Sequence, residues 1–274
     1  MRSKILLPIA VAVLFLCLWD AAVLFTKTDV FPRPYQVLLG IVELAQRGLL
    51  LKYIVASLFR VSIGYTLAVL IGVPLGLLLG WFRPAFFALN PLIQIFRPIS
   101  PIAWIPLAIL WFHVDDRAPI FLIFLASVFP ITVTAISAVQ NIQPVYVRAA
   151  ENFRLNQFDL FRRVIFPACL PQIITGLRIA LGISWLVVVA AEMIAVNSGL
   201  GYLIIDARNA GQRYDLVIAG IGVIGEGRAA LFPGELDAVF RHEEFLRRPS
   251  APDRDPRKGH RYPPVPRTGA QARW

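Results

Sequence analysis

Reactive side chains are scarce in this 274-residue chain, which contains two cysteines and three histidines. Cys17 lies in an apolar run and Cys169 in a basic segment, so their spacing predicts neither a metal site nor a disulfide framework. No G-x-x-x-x-G-K-[ST] phosphate loop occurs, so ATP hydrolysis by that route is not expected. His113 lies beside Asp115 and Asp116 in HVDDR, and with no second His or Cys nearby we expect a solvated turn without a metal.

Charge is also low for a soluble protein. Charged residues make up 16% of the chain, against about 25% in soluble domains. Hydrophobic residues make up 57%, and the mean hydropathy is +0.66. The net charge of +10 would fit a nucleic-acid partner, but the basic residues are scattered between apolar runs or gathered in the tail. We therefore expect contacts with anionic lipid headgroups and no nucleic acid.

The apolar runs predict an all-α membrane protein, a bundle of about five to six transmembrane helices. Residues 5–25 are interpreted as an uncleaved first span rather than a signal peptide, because about 20 apolar residues cross a bilayer and no clear cleavage site follows. Residues 34–52 combine helical periodicity with a polar stripe, which is typical of an interfacial helix. The further predicted spans are 54–82, 89–112, 119–139 and 172–196, with a shortened sixth from 216 to 225.

Two of these spans carry residues that disturb or tighten helix packing. Pro98, Pro101 and Pro106 interrupt span 89–112, and broken backbone at membrane depth is expected only against other helices or a water-filled path. Span 54–82 carries a face of small residues, which allows close helix approach. That face is formed by Gly64, Gly72, Gly76 and Gly80. Packing within the chain and a dimer seam are both open for this face.

Ionisable residues inside spans are costly unless they are paired or hydrated. Arg97 beside the broken backbone either lines an anion path or is structural. Arg178 is expected to extend to the headgroups, since it lies seven residues after Pro171. Glu192 is expected near the outer end of its helix, paired with an arginine of another span that the sequence does not identify. Arg97, Pro98, Pro101 and Glu192 are the candidate residues of a translocation path.

The most informative segment is YVRAAENFRLNQFDLFRRVIFPACLP at 146–171, a basic amphipathic stretch between apolar runs. By itself the pattern allows a helix lying on the membrane or a contact with a soluble partner. The segment resembles the cytoplasmic coupling loop of permeases of binding-protein-dependent ABC importers. Further stretches at 97–112, 175–193 and 198–220 resemble the branch of that family that transports nitrate, sulfonates and taurine.

Against the usual Glu-Ala-Ala and Gly of that loop, this sequence has Arg148-Ala149-Ala150 and Arg154-Leu155. A basic residue followed by Leu in place of the usual Gly, as in Arg154-Leu155, resembles the nitrate-type members of the branch. The resemblance assigns an ATPase-coupling role to Arg148, Ala149, Ala150, Phe153, Arg154, Leu155, Phe158, Phe161 and Pro167. Phe153, Leu155, Phe158 and Phe161 are expected to form one compact apolar surface that enters a groove of the ATPase.

The resemblance implies the transmembrane permease subunit of an ATP-driven importer for a small anion. It implies a permease homodimer, two copies of an ATP-binding subunit that carries the ATP, and a periplasmic or lipid-anchored solute-binding protein. The chain itself would then be a non-catalytic subunit of the bacterial inner membrane, crossing it several times with its N-terminus in the cytoplasm. The positive charges of the loop at 141–170 agree with a cytoplasmic position.

Residues 226–274 depart from this pattern: where a sixth apolar span is expected to continue, these 49 residues include 10 Lys or Arg, 7 Asp or Glu and 7 Pro. We interpret this tail as the product of a shifted reading frame; a genuine cytoplasmic tail is the alternative. The predicted parts are 1–53 (first span and interfacial helix), 54–225 (permease domain with the coupling loop) and 226–274 (a disordered tail). Other hypotheses are a channel or scaffold without an ATPase, an inactive permease fragment, and a membrane enzyme, for which clustered acid or histidine side chains are lacking.

Overall fold

The computed structural model describes residues 2–26, 31–153, 155–209 and 211–231. Within them the chain is all-α, as predicted, and contains no strand. The helices are α1 (Arg2–Thr26), α2 (Pro34–Gln46), α3 (Leu49–Trp81), α4 (Arg83–Phe96), α5 (Ile105–Phe112), α6 (Arg117–Gln140), α7 (Pro144–Asn152), α8 (Gln157–Leu160), α9 (Phe166–Ala195), α10 (Leu200–Asn209) and α11 (Tyr214–Leu231). A 3₁₀ turn, Pro101–Trp104, precedes α5, and a π-helical segment, Phe161–Ile165, precedes α9.

Three long apolar helices form the centre of the bundle. By length and composition, α3, α6 and the continuous stretch Gln157–Ala195 that ends in α9 are able to cross a membrane. Helix α6 packs against both α3 and α9, and its buried residues recur along its full length. The core of the bundle therefore lies around α6.

The glycine face of α3 packs against α6. A Cβ atom added at Gly76 would lie 2.5 Å from the Cβ of Ala135 and 2.5 Å from the carbonyl oxygen of Thr132. Added at Gly80, it would lie 2.7 Å from the Cβ of Val139. The small residues therefore allow two helices of one chain to approach closely, which resolves the alternative between internal packing and a dimer seam in favour of packing.

The predicted break in the third span is present. Helix α4 and the stretch Pro101–Phe112 together have the length and hydropathy of a fourth span, but they are bent by 83°. Pro101 begins the 3₁₀ turn and Pro106 stands in the first turn of α5, where proline's missing N–H is tolerated. The bend therefore falls at residues 97–100, as the prolines predict.

The N-terminal helices differ from prediction in their limits. The apolar part of α1 among the described residues, Ile9–Phe25, is shorter than the three long helices, so a crossing by residues 5–25 stays a prediction. The interfacial helix α2 buries Val37, Gly40 and Leu44, a spacing that gives one buried face. It ends at Gln46 rather than at 52, because Gly48 adopts a positive φ of 68° and α3 starts directly after it.

The C-terminal helix α11 continues past the predicted limit of the apolar run at 225 and ends at Leu231. The prediction of disorder from 226 onward is therefore wrong for residues 226–231, where an amphiphilic sequence still forms helix. The indole Nε1 of the buried Trp185 donates a hydrogen bond to the carbonyl of Ile224 over 3.1 Å, which ties α11 to α9. One compact unit comprises Met1–Arg228, and most of the second, Ala229–Trp274, lies outside the described residues.

Candidate functional site

The predicted coupling loop joins the end of α6 to the start of α9 and is divided into short helical pieces. Helix α7 ends at Asn152, and α8 begins only at Gln157. The side chain of Asn156 accepts a hydrogen bond from the backbone N–H of Asp159 over 2.7 Å and so caps α8. The loop is therefore two helices with a break between them, rather than one continuous amphipathic helix.

This break separates the four apolar side chains that were expected to form one surface. Phe153 and Phe158 are 81% and 69% exposed. Leu155 and Phe161 instead pack against the buried apolar residues beside the loop, and the ring centroids of Phe161 and Trp81 are 6.1 Å apart. The expectation of one compact surface is wrong, because α7 ends at Asn152, α8 begins only at Gln157, and two of the four side chains pack inward.

The remaining residues of the predicted coupling set divide between the core and the surface. Ala150 is buried in the cluster with Leu160 and Ile165, where a larger side chain would push α7 away from the bundle. Arg148, Ala149 and Pro167 are exposed. Arg154 lies outside the described residues. The coupling role of this set stays a prediction, with Phe153 and Phe158 as its exposed apolar members.

Arg97 lies at the bend between α4 and α5. It borders a cavity of about 160 Å³ together with Trp104, Phe129, Pro130 and Ile183, and it is exposed. Phe129 and Pro130 are near the middle of α6, so this arginine is at the mid-depth of the bundle. Within the described residues its side chain has no hydrogen-bond or ion-pair partner.

The lining of this cavity is largely apolar and includes three aromatic side chains. The rings of Phe96 and Phe129 stack with their planes 4° apart, and the ring centroids of Phe96 and Trp104 are 6.3 Å apart. Pro98 is exposed at the bend and Pro101 is half-buried in the cavity wall. The structure thus brings together three of the four candidate path residues.

Glu192 is the fourth, and it is placed elsewhere. It has no exposed surface, so in this conformation it borders no path, and its Oε1 accepts a hydrogen bond from Arg60 Nη1 over 2.6 Å. The expectation that it pairs with an arginine of another span is confirmed, since Arg60 belongs to α3. Glu192 lies three residues before the end of α9, at the opposite end of the bundle from the predicted coupling loop.

Arg60 uses all of its hydrogen-bond donors. Besides Glu192, Nη1 donates to the carbonyl oxygen of Ser198 over 2.8 Å. Nε and Nη2 both donate to Asp116 Oδ1, over 3.0 and 2.6 Å, and Nη2 also donates to the hydroxyl of Ser198. A guanidinium has five N–H donors, so this one is fully satisfied.

Glu192 is equally well satisfied through its other oxygen. Oε2 accepts from the hydroxyl of Ser57 over 2.8 Å and from the backbone N–H of Gly201 over 3.0 Å. The hydroxyl of Ser57 in turn accepts from the N–H of Leu200 over 2.9 Å. Gly199, with a φ of 107°, leaves no room for a Cβ atom beside the carboxylate. We call Ser57, Arg60, Asp116, Glu192 and the turn 198–201 the Arg60 cluster.

Of this cluster, sequence reasoning singled out only Glu192, and it missed the two charged partners of the network, Arg60 and Asp116. Arg60 stands in the apolar stretch of the predicted span 54–82, where a lone cation carries the same signal as Glu192 does in its own span. Asp116 was interpreted as part of a solvated turn, and its side chain is indeed 51% exposed, but it also binds Arg60. Among the described residues no group of three or more His, Cys, Asp or Glu side chains has the arrangement of a metal site.

A second charged cluster lies on the surface between α2 and the start of α11. Arg213 binds Asp215 over 2.7 Å and Glu43 over 2.8 Å, and Glu43 also binds Arg47 over 2.7 Å. The hydrogen bond from Arg213 lowers the pKa of Asp215, and its bond to Glu43 lowers the pKa of that carboxyl. Both carboxyls raise the pKa of Arg213 above its usual value. The cluster ties α2 to the turn before α11.

Comparison with known proteins gives the family. The profile of the family described as "Binding-protein-dependent transport system inner membrane component" matches residues 72–225, more than half of the chain. The chain belongs to this family. The matched part includes the predicted coupling loop, the break at Arg97 and Glu192. The resemblance noted from the sequence is thereby confirmed, and the chain is a permease of a multi-pass membrane transport system.

Curated relatives come from the same branch. The chain is 37% identical over 221 residues to the taurine transport system permease protein TauC of Escherichia coli strain K12, covering 78% of this chain and 79% of TauC. It is 41% identical over 174 residues to the nitrate import permease protein NrtB of Leptolyngbya laminosa, 63% and 62% of the two chains. It is 34% identical over 237 residues to the bicarbonate transport system permease protein CmpB of Synechococcus elongatus, 81% and 84% of the two chains.

A solved structure has the same fold. The inward-facing MetNI methionine ABC transporter matches with a TM-score of 0.51 at 17% identity, over 64% of this chain and 89% of the solved chain. At this identity the match concerns the fold alone.

Proposed function

We propose that this permease translocates a small anion across the bacterial inner membrane as part of an ATP-driven importer. In this assembly two permease copies associate with two ATP-binding subunits and receive substrate from a solute-binding protein. ATP is bound and hydrolysed by the partner subunit, and this chain takes no catalytic part. The relatives support the substrate class, because taurine carries a sulfonate and nitrate and bicarbonate are anions.

Charge and the resemblance of the loop at 141–170 to a coupling loop support the orientation. Arg148, Arg162 and Arg163 are exposed on the loop between α6 and α9, and such basic loops lie on the cytoplasmic side. The coupling loop then faces the ATP-binding subunit, and the N-terminus is cytoplasmic if α1 crosses the membrane. The Arg60 cluster, at the other end of the bundle, lies toward the outside.

Phe158 and Phe153 are the side chains best placed to contact the ATP-binding subunit. They are large, apolar and exposed at the cytoplasmic end, flanked by arginines. An aromatic side chain that enters a groove of a partner buries a large apolar area and commonly dominates the binding free energy. Movement of the partner would then be transmitted through α8 and the π-helical segment into α9.

The observation that carries the anion assignment is Arg97. A cation without a partner among the described residues, at mid-depth and beside a cavity, needs water or a counter-ion, because an isolated charge in a bilayer costs several kcal/mol. A passing anion meets that need, and the cavity of about 160 Å³ has room for a small polyatomic anion. Arg97 is therefore the residue we assign to the anion path.

Transport by charge-altered variants tests this assignment. The complex with its ATP-binding subunit is reconstituted in proteoliposomes, and uptake of taurine, nitrate and bicarbonate is measured for wild type, Arg97→Gln and Arg97→Lys. Arg97→Gln should lower uptake at least about tenfold, the equivalent of one charge-assisted hydrogen bond to the anion, while Arg97→Lys keeps most of it. Basal ATP hydrolysis and subunit recovery serve as controls. Unchanged uptake by Arg97→Gln would exclude Arg97 from the path.

A further inference from the structure

The Arg60 cluster joins four separate segments of the chain at the outer end of the bundle. Arg60 and Ser57 come from α3, Asp116 immediately precedes α6, and Glu192 is in α9. The turn 198–201 leads into α10. A single guanidinium therefore holds together the outer ends of three spanning helices and the beginning of α10.

This cluster has the properties of a fixed connection. Arg60 and Glu192 are 1% and 0% exposed, and every donor of the guanidinium is used. Parting of these segments would leave a buried guanidinium or carboxylate without its partner, and separated charges of this kind are strongly disfavoured. The backbone N–H groups of Leu200 and Gly201 would lose their acceptors at the same time.

The fit around the carboxylate leaves no room for sliding. The turn at Gly199 lies directly against the Glu192 carboxylate, and Gly201 lies against the carbonyl of Val189. Tyr53 of α3 and Tyr202 of α10 continue this contact, with ring centroids 6.3 Å apart. The bend between α4 and the turn Pro101–Trp104, in contrast, interrupts the helix at the exposed residues Arg97 and Pro98.

We propose that Arg60 is a positioning residue that keeps the outer ends of α3, α6, α9 and α10 together as one rigid unit throughout the transport cycle. Changes between inward and outward openings then occur elsewhere in the chain. This inference rests on the proposed transport function. Its consequence is that a covalent link between α3 and α10 replaces the cluster without stopping transport.

Cross-linking tests this directly. Tyr53→Cys and Tyr202→Cys are combined with Cys17→Ser, which removes the exposed native thiol, while the buried Cys169 stays. The complete complex in proteoliposomes is treated with a short bifunctional maleimide, and uptake of taurine, nitrate and bicarbonate is compared before and after. Tyr53→Cys alone and Tyr202→Cys alone, each combined with Cys17→Ser, receive the same reagent as controls. Uptake should be unchanged by the link, and loss of uptake in the double variant alone would overturn the proposal.

Rescue distinguishes positioning from a general packing role. Arg60→Lys keeps the charge but has three donors in place of five, so uptake should fall about tenfold as one or more charge-assisted bonds are lost. The same cross-link should restore that uptake, because it supplies the missing connection. Failure of the link to restore uptake in an Arg60→Lys complex that assembles would overturn the positioning role. If Arg60→Lys does not assemble, the effect of the cross-link on uptake by the complex that keeps Arg60 decides whether the unit is rigid.

A second measurement is independent of the substrate. The rate of cross-link formation is followed in the nucleotide-free complex and in the complex trapped with ATP and vanadate. A rigid unit predicts equal rates, and a clear change between the two states would overturn it. Absence of uptake before any cross-linking would argue against the anion-import function instead, and the cross-linking rates would still decide whether the unit is rigid.

Discussion

Close packing of α3 on α6 should make Gly76 intolerant of even one methyl group. The Cβ atom of an alanine there would lie 2.5 Å from two atoms of α6, whereas carbon atoms in contact are separated by about 3.5–4.0 Å. The helices must therefore separate by roughly 1 Å, which loosens the neighbouring contacts of Gly72 and Gly80 as well. Overpacking of this kind costs about 1–3 kcal/mol.

The chain offers a matched control for this substitution. Gly222 is also inside a helix, α11, but a Cβ atom added there would meet nothing within 4 Å. Gly76→Ala and Gly222→Ala share the same gain of about 1 kcal/mol in helix propensity, so the difference between them isolates the packing cost. We expect Gly76→Ala to be less stable than Gly222→Ala by about 1–3 kcal/mol.

Heat stability and oligomeric state are measured together for these variants. Purified protein in detergent is heated, and the fraction that remains monodisperse is followed by size-exclusion chromatography. A lower midpoint for Gly76→Ala than for Gly222→Ala, with the same oligomeric state, agrees with packing inside the chain. Equal midpoints would refute the reasoning, and a change in oligomeric state at unchanged midpoint would return the glycine face to a dimer seam.

Two further outcomes are expected. Phe158→Asp should reduce recovery of the ATP-binding subunit in a detergent pull-down by at least about tenfold, because a charge replaces an exposed aromatic contact. Leu155→Ala changes an inward-facing residue and should leave recovery unchanged in protein that stays folded. Recovery by Phe158→Asp equal to that of wild type would exclude this contact. Arg213→Met should lower heat stability at pH 7. Arg213 lowers the pKa of Glu43 and Asp215 in the folded protein, so its stabilisation is present above the unfolded pKa values of about 4. This stabilisation is lost as the pH falls through the lower pKa values of the folded protein. The melting temperatures of wild type and Arg213→Met should therefore approach each other as the pH is lowered from 7. A difference that stays constant with pH would contradict a stabilising role of these ion pairs.

Much of the helical framework could be predicted from local pattern. The apolar runs locate α3, α6 and α9, and the prolines after Arg97 locate the bend, because both signals depend on neighbours in the sequence. Helix limits were less accurate. Helix α3 begins five residues before the predicted span, and α11 continues six residues beyond 225, since helical backbone continues wherever its hydrogen bonds are satisfied, regardless of apolar content.

The coupling loop shows where pattern becomes insufficient. Its amphipathic spacing predicted one apolar surface of four side chains, but α7 ends at Asn152 and α8 begins only at Gln157, so the helical periodicity is not continuous across the loop. Leu155 and Phe161 consequently lie against Trp81 and its neighbours, while Phe153 and Phe158 stay exposed. Periodicity specifies a face only while the helix is continuous.

By itself, the sequence determined that this is a helical membrane protein with a basic loop between two of its spans and a broken span that carries Arg97, and the resemblance of its motifs predicted the permease family. The helices, the basic loop and the broken span follow from hydropathy, charge and proline chemistry over short stretches, whereas the family follows from the resemblance. Only the tertiary structure decided that Arg60 meets Glu192, 132 residues away, and that the glycine face of α3 lies on α6. Such pairings depend on how each helix is rotated and placed against the others, and that arrangement is set by contacts along the entire bundle rather than by the residues adjacent in sequence.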